Sequence, residues 1–228
     1  MATILALESS ADACSVALLR NGHVEQLFEL APRQHTRLML PLVEKILAES
    51  HCSLADIDAF AFGAGPGSFT GLRIAVGIVQ GLAFANDTPV IAVPSLHALA
   101  LTASRTLDIA EGQTIAVAMD ARMDEIYWAS FRKTVNGVEA LDNVAILPLN
   151  ALPDVEGPFV AIGSGWGLEP LAQAAAKAVA VYHDLAPQAF DLLDIAAQRF
   201  ALGQVTDAAS AAPEYVRNTV SWKKLSEQ

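Results

Sequence analysis

Cysteine, positive charge and paired histidines are scarce in this chain, and each shortage removes a class of function. Cys14 and Cys52 are the only cysteines in 228 residues and have no CxxC spacing. That is too few for a disulfide scaffold, and both are expected to be reduced thiols. Lys and Arg number 14 against 25 Asp and Glu, a formal charge of -11 that opposes a broad nucleic-acid surface. The locally basic stretch Arg217-Asn-Thr-Val-Ser-Trp-Lys-Lys224 is the exception, readable as a solvated tail or as a contact to phosphate or an acidic partner. Histidines at 23, 35, 51, 97 and 183 form no HxxH, HxxxH or HExxH pattern, so no metal site is expected. The opening apolar run has no basic leader and is broken by Glu8 before a signal or membrane helix could form. The expected location is the cytoplasm, with no membrane partner.

Apolar residues, by contrast, are plentiful: 53% of the chain is hydrophobic, enough for one core or two small lobes. Ile4 to Glu8, Cys14 to Leu19 and Val24 to Leu30 read as strands, with Asn21-Gly22 signalling a hairpin between the last two. From Arg33 the period lengthens, and Leu38, Leu42, Ile46 and Leu47 mark one face of a helix that Pro41 is expected to bend or interrupt. Asp58 to Gly63 reads as a buried strand and Thr70 to Phe84 as a second helix.

Between these last two lies Gly63-Ala-Gly-Pro-Gly-Ser-Phe-Thr-Gly-Leu-Arg73, a glycine-rich turn at a helix mouth. Such a turn can present amides to an anion or let two backbones approach closely. No Lys-Ser or Lys-Thr follows as in a Walker loop, and Phe69 occupies the mouth, which favours a packed turn capped by Ser68 or Thr70. The helix beyond carries Gly71, Ala75, Gly77, Gly81, Ala83 and Ala85, small residues whose propensity cost close packing would offset. With the Leu38 helix it is expected to form a partner or dimer surface through Leu38, Leu42, Val76 and Val79. Arg73, one turn in and against the helix field, is the polar candidate for a carboxylate partner.

The opening plan then recurs. Thr114 to Met119 and Glu125 to Phe131 read as paired strands around the acidic turn Asp120-Ala-Arg-Met-Asp124, as the first strands surround Glu8-Ser-Ser-Ala-Asp12. Pro148 to Pro158 resembles a surface linker. Gly163-Ser-Gly-Trp-Gly167 is a further glycine turn, opening an Ala-rich helix over 172–180, and Gln188 to Leu202 is a last helix. The expected architecture is an α/β chain of two similar lobes. The first spans 1–107 and is joined by the segment 213–228; the smaller second spans 108–212.

Five segments in order carry a family resemblance: Ile4-Leu-Ala-Leu-Glu-Ser-Ser10; Gln34-His-Thr-Arg37 with Leu40-Pro41; Gly65-Pro-Gly-Ser-Phe-Thr-Gly-Leu-Arg73; Asp120-Ala-Arg-Met-Asp-Glu-Ile-Tyr127; and Pro213-Glu-Tyr-Val-Arg217. Over essentially its whole length the chain resembles the TsaB family of the actin-like ATPase (ASKHA) superfamily. The resemblance implies a two-lobed, ribonuclease H-like fold with mixed sheets flanked by helices. It also implies a noncatalytic role in making N6-threonylcarbamoyladenosine in tRNA, beside a TsaD transferase and a TsaE ATPase, with homodimers when the chain is alone. tRNA is then met mainly through the complex. ATP, Mg and a divalent metal in TsaD belong to the wider pathway, and no cofactor is required by this subunit.

The residues allow that implication to be tested. TsaD carries a His-x-x-x-His metal pair, whereas the matching stretch here has His97 and then Leu101. Actin-like ATPases hold Mg and water with carboxylates in two turns, for which Glu8 and Asp120 stand in altered form. With Ser9, Gly163 and Gly165 they would form a vestigial nucleotide site. The alternative is that both carboxylates end strands, with Arg122 pairing one of them. A small nucleotide-dependent ATPase therefore remains the competing function. A glycoprotease-like hydrolase is a weaker third reading, because Ser68 lies in no Gly-x-Ser-x-Gly elbow and no histidine is tied to it by motif. No catalytic residue is assigned.

Overall fold

The computed structural model describes residues 2–216. Its amino-terminal half is built on a five-stranded sheet of β1 (Ile4–Glu8), β2 (Ala13–Arg20), β3 (His23–Leu30), β4 (Ala59–Gly65) and β5 (Val90–Pro94). The spatial order is β3-β2-β1-β4-β5. The first three strands form an antiparallel meander, and β4 and β5 add parallel to β1. Asn21 and Gly22 close the β2–β3 hairpin at φ 53° and 79°, the left-handed pair that a two-residue turn requires.

Helices cover both faces of this sheet. On one side lie α1 (His35–Glu49) and α2 (Phe69–Asn86), whose Met39, Leu42, Val43, Ile46, Ala75, Val76 and Val79 pack on Leu5, Leu7, Phe60 and Phe62. The α1 helix runs unbroken through Pro41, so the expected interruption is not found. The length and hydropathy of α2 would suffice to cross a bilayer, but its inner face is spent in this core. α3 (Ser95–Thr106) lies between the two halves of the chain and touches strands of both sheets.

The second sheet contains β6 (Thr114–Arg122), β7 (Glu125–Thr134), β8 (Gly137–Ala140), β9 (Ala145–Pro148), β10 (Phe159–Ile162) and β11 (Ala180–Tyr182). Its order is β11-β10-β6-β7-β8, with β9 pairing separately to β7. β6, β7 and β8 form an antiparallel meander, and β10 and β11 add parallel to β6. Numbered from its own first strand, this sheet repeats the order of the first, which is the duplicated plan expected from the two acidic turns. Between β10 and β11 the chain makes only a short helix, α4 (Ala172–Ala175), instead of the helix expected over 172–180. Val179 and Ala180 are drawn off to pair with β10, a tertiary contact that overrides alanine's helix propensity.

One expected boundary moves. The last helix, α5 (Ala189–Ala201), was assigned with 108–212 to the second lobe, but it packs on the free face of the first sheet. Leu192, Leu193 and Ala196 meet Ile4, Ala6, Ala61 and Ile91 there, and Ala208 and Ala211 join the core under α2. A sheet with one covered face and one apolar bare face needs a covering helix there, and α5 supplies it together with Ala98 of α3. At residue 214 the chain is tied to the first lobe, with the Glu214 amide donating to the Ala64 carbonyl at 2.8 Å. The rest of the 213–228 segment, including Trp222, Lys223 and Lys224, lies outside the described residues.

Candidate functional site

The glycine-rich turn resolves as a backbone clasp. The Ser68 amide donates to the Ser10 carbonyl at 2.7 Å, the Gly65 amide to Ser95 Oγ at 3.1 Å, and the Gly71 amide to Ser68 Oγ at 3.2 Å. Ser68 is the N-cap of α2, as expected. A Cβ on Gly71 would sit 1.9 Å from the Ser9 carbonyl oxygen, and one on Gly67 2.5 Å from that of Ser10. These glycines let α2 approach the β1–β2 turn, and most of the amides at its mouth are consumed inside the protein.

The five residues assigned to a vestigial nucleotide site are not presented to one ligand. Glu8 is 1% exposed and accepts the Ser10 amide and the Ser95 hydroxyl. Burial raises its pKa above the ordinary carboxylate value, against the opposing pull of those hydrogen bonds. Ser9 is equally buried and donates its hydroxyl to the Gly71 carbonyl at 2.9 Å. Gly163 and Gly165 press on the Ala118 backbone, where added Cβ atoms would lie 2.6 Å and 3.0 Å from the carbonyl oxygen. Asp120 does border the cleft between the lobes, but Arg122 holds it with a 2.9 Å ion pair and its own amide at 2.7 Å. This arrangement does not fit a Mg-nucleotide, because the first-turn carboxylate is sealed off and the second is already paired.

His97 is half-buried on α3, its ring 5.2 Å from that of Phe131. Burial, with Arg199 adding to it, lowers its pKa and favours the neutral ring. His35, the first residue of α1, is buried, with Nε2 donating to the Ala11 carbonyl at 2.7 Å. Gln34 takes the cap position.

The expected partner surface needs a rotation about the helix axes. Leu42, Val76 and Val79 are 4%, 5% and 0% exposed and belong to the core, so they cannot be outward contacts of this lobe. Leu38 is half-buried and Arg73 exposed. The outer face of α2 is a stripe of Arg73, Gly77, Gly81 and Phe84, with Leu40 exposed on neighbouring α1. Phe84 is 79% exposed, and a Cβ added to Gly77 or Gly81 would meet nothing within 4 Å. Sequence reasoning took the apolar phase of the helix as its exposed face. The recurrence of Gly at 77 and 81, out of phase with Val76 and Val79, was the available signal.

Two lobes of one repeated sheet order, joined around a cleft, define a member of the actin-like, ribonuclease H-like fold class. The family model for TsaD, described as tRNA N6-adenosine threonylcarbamoyltransferase, matches residues 28–198. The tRNA threonylcarbamoyladenosine biosynthesis protein TsaB of Escherichia coli is 42% identical, covering 97% of each chain. The Haemophilus influenzae protein of the same name is 36% identical over 98% of this chain and 97% of its own. A solved structure titled YeaZ from Pseudomonas aeruginosa superposes with a TM-score of 0.83 at 40% identity, covering 94% of this chain and all (100%) of that one. The chain belongs to the TsaB family.

Proposed function

We propose that this chain is a noncatalytic subunit in the biosynthesis of tRNA N6-threonylcarbamoyladenosine, and that it binds and activates a TsaD-like transferase through the outer face of α1 and α2. The observation that carries the surface is the pair Gly77 and Gly81. Each glycine costs an exposed helix about 1 kcal/mol relative to alanine. Among the described residues, nothing lies within 4 Å of a Cβ added at either. A partner helix that must approach closely between Arg73 and Phe84 supplies the missing reason.

The same surface would serve a homodimer when the transferase is absent, and a TsaE-like ATPase would join the assembled pair. The burial of Glu8 and the pairing of Asp120 support a subunit that needs no cofactor of its own and leaves ATP, Mg and the transferase's metal to its partners. The charge of -11 favours tRNA contact through the complex.

The test is modification of unmodified tRNA by a TsaD-like transferase, a TsaE-like ATPase and the adenylate synthase, with and without this chain, while light scattering sizes its mixture with the transferase. A stable pair and modification that depends on the chain are expected. Full modification without it, and no pair, would overturn the reading.

A further inference from the structure

We propose that the β6–β7 turn of the second lobe is a further contact for the TsaD-like transferase, presenting Arg122 and Met123 to a segment of that partner at the mouth of the cleft. This rests on the assembly reading and deepens it, because that reading places the transferase on α1 and α2 alone.

The turn is built against its own backbone. Arg122, Met123 and Asp124 stand at φ 63°, 58° and 60°, three consecutive residues in the left-handed region with no glycine among them. Asp tolerates that region, whereas Arg and Met each carry a steric cost there. The first lobe holds a matching hairpin for comparison. β2 and β3 pair Arg20 with His23 across Asn21-Gly22, and β6 and β7 pair Arg122 with Glu125 across Met123-Asp124. Both are two-residue turns with left-handed centres, at φ 53° and 79° in the first. Asn-Gly is the pair such a turn favours, and Met-Asp is not. Strain kept at one of two equivalent turns points to a use for the side chains it carries.

The groups that hold the turn also leave it outside. Asp120 accepts the Arg122 amide at 2.7 Å and pairs with Arg122 Nη1 at 2.9 Å, while its own amide donates to Ser164 Oγ at 3.1 Å. The Arg122 side chain remains 86% exposed in that pair, and Met123 is 58% exposed. Arg and Met are enriched at protein interfaces, and the unbranched Met side chain adapts to an irregular apolar surface.

Opposite the turn stands the surface already proposed for the transferase. Arg122 shares the wall of the cleft, about 890 Å³ in volume, with Phe69, Arg73 and Tyr215. Phe69 and Tyr215 are 57% and 50% exposed, their ring centres 6.2 Å apart. Arg73 also begins the outer stripe of α2 that runs to Phe84, so that stripe continues to the cleft mouth and meets the turn across it. Exposed Met123, Phe69 and Tyr215 flanked by two guanidiniums suit a segment bearing apolar side chains and a carboxylate.

The test is the affinity of the full chain for a TsaD-like transferase by isothermal titration calorimetry, set beside the melting temperature of the free chain. Met123→Asn puts a favoured residue in the turn and removes the contact. It should raise the melting temperature by about 3 °C and weaken transferase binding about tenfold. Asp124→Gly relaxes the same turn without touching Arg122 or Met123, and should raise the melting temperature with affinity unchanged. Phe84→Asp, on α2, reports separately on the assembly reading. If the parent binds, Phe84→Asp does not, and Met123→Asn binds like the parent, the turn is no contact and the assembly reading stands without it. A parent chain that binds no transferase would sink both. Weakened self-association of Met123→Asn with unchanged transferase affinity would assign the turn to a second copy and overturn the proposal, as would a fall in its melting temperature.

Discussion

Ser9 and Gly71 hold each other from both directions. The Ser9 hydroxyl donates to the Gly71 carbonyl at 2.9 Å, and the Ser9 carbonyl lies where a Gly71 side chain would begin, 1.9 Å from its ideal Cβ. The contact locks α2 to the β1–β2 turn. Gly71→Ala is therefore expected to destabilise the fold by about 3 kcal/mol, the upper range for overpacking against rigid backbone. Urea unfolding should show the midpoint fall with the slope unchanged.

On the outer face the same substitution has the opposite effect on the isolated chain. Gly77→Ala and Gly81→Ala meet open space and should each stabilise it by up to about 1 kcal/mol through helix propensity. If a transferase helix packs there, the double variant should also bind it at least about tenfold more weakly, since two methyl groups then stand between the helices. A rise in melting temperature with unchanged affinity would move the interface elsewhere.

Glu8 gives a pH dependence with a definite sign. Its folded pKa is raised above the usual 4.5, so the fold takes up a proton relative to the unfolded chain. The stability it lends is present in full below 4.5 and is lost as pH rises through the folded value. Glu8→Gln keeps an acceptor for the Ser10 amide and removes the buried charge. The variant is expected to melt higher than the parent at pH 7.5, with the difference shrinking toward pH 4. Equal melting temperatures at both pH values would show that the carboxylate is not the costly group.

The last prediction concerns the joint between α3 and α5. Asp191 is 5% exposed and accepts from Arg105 Nε at 2.9 Å, from Arg105 Nη2 at 2.8 Å and from the Thr102 hydroxyl at 2.7 Å. Removing the cation leaves a buried carboxylate with one neutral donor. Arg105 is itself 36% exposed, so water moderates the loss, and Arg105→Ala should cost about 2 kcal/mol. Arg105→Ala in an Asp191→Asn background should cost much less, which a double-mutant cycle by chemical denaturation would measure.

Local pattern made much of the fold legible. Asn21-Gly22 marks a hairpin, the apolar period marks α1, and the recurrence of an acidic turn at 8–12 and 120–124 marks the repeated lobe. Each of these is a short-range property, written in neighbouring residues. Leu42, Val76 and Val79 show where that legibility stopped. An apolar face can be seen in the periodicity of a helix, but not whether a sheet or a partner covers it.

What the sequence by itself determined is therefore the inventory: two αβ lobes of one plan, no paired histidines for a metal, and glycines where backbones must meet. Only the tertiary structure decided which way each face turned. The bare underside of the first sheet drew α5 back across the lobe boundary. The same packing sent Val76 and Val79 inward and left Gly77, Gly81 and Phe84 outside. It also sealed Glu8 beneath the clasp. These outcomes depend on contacts between residues far apart in the chain, and burial of apolar area, which is non-directional, selects among faces that local pattern leaves equivalent.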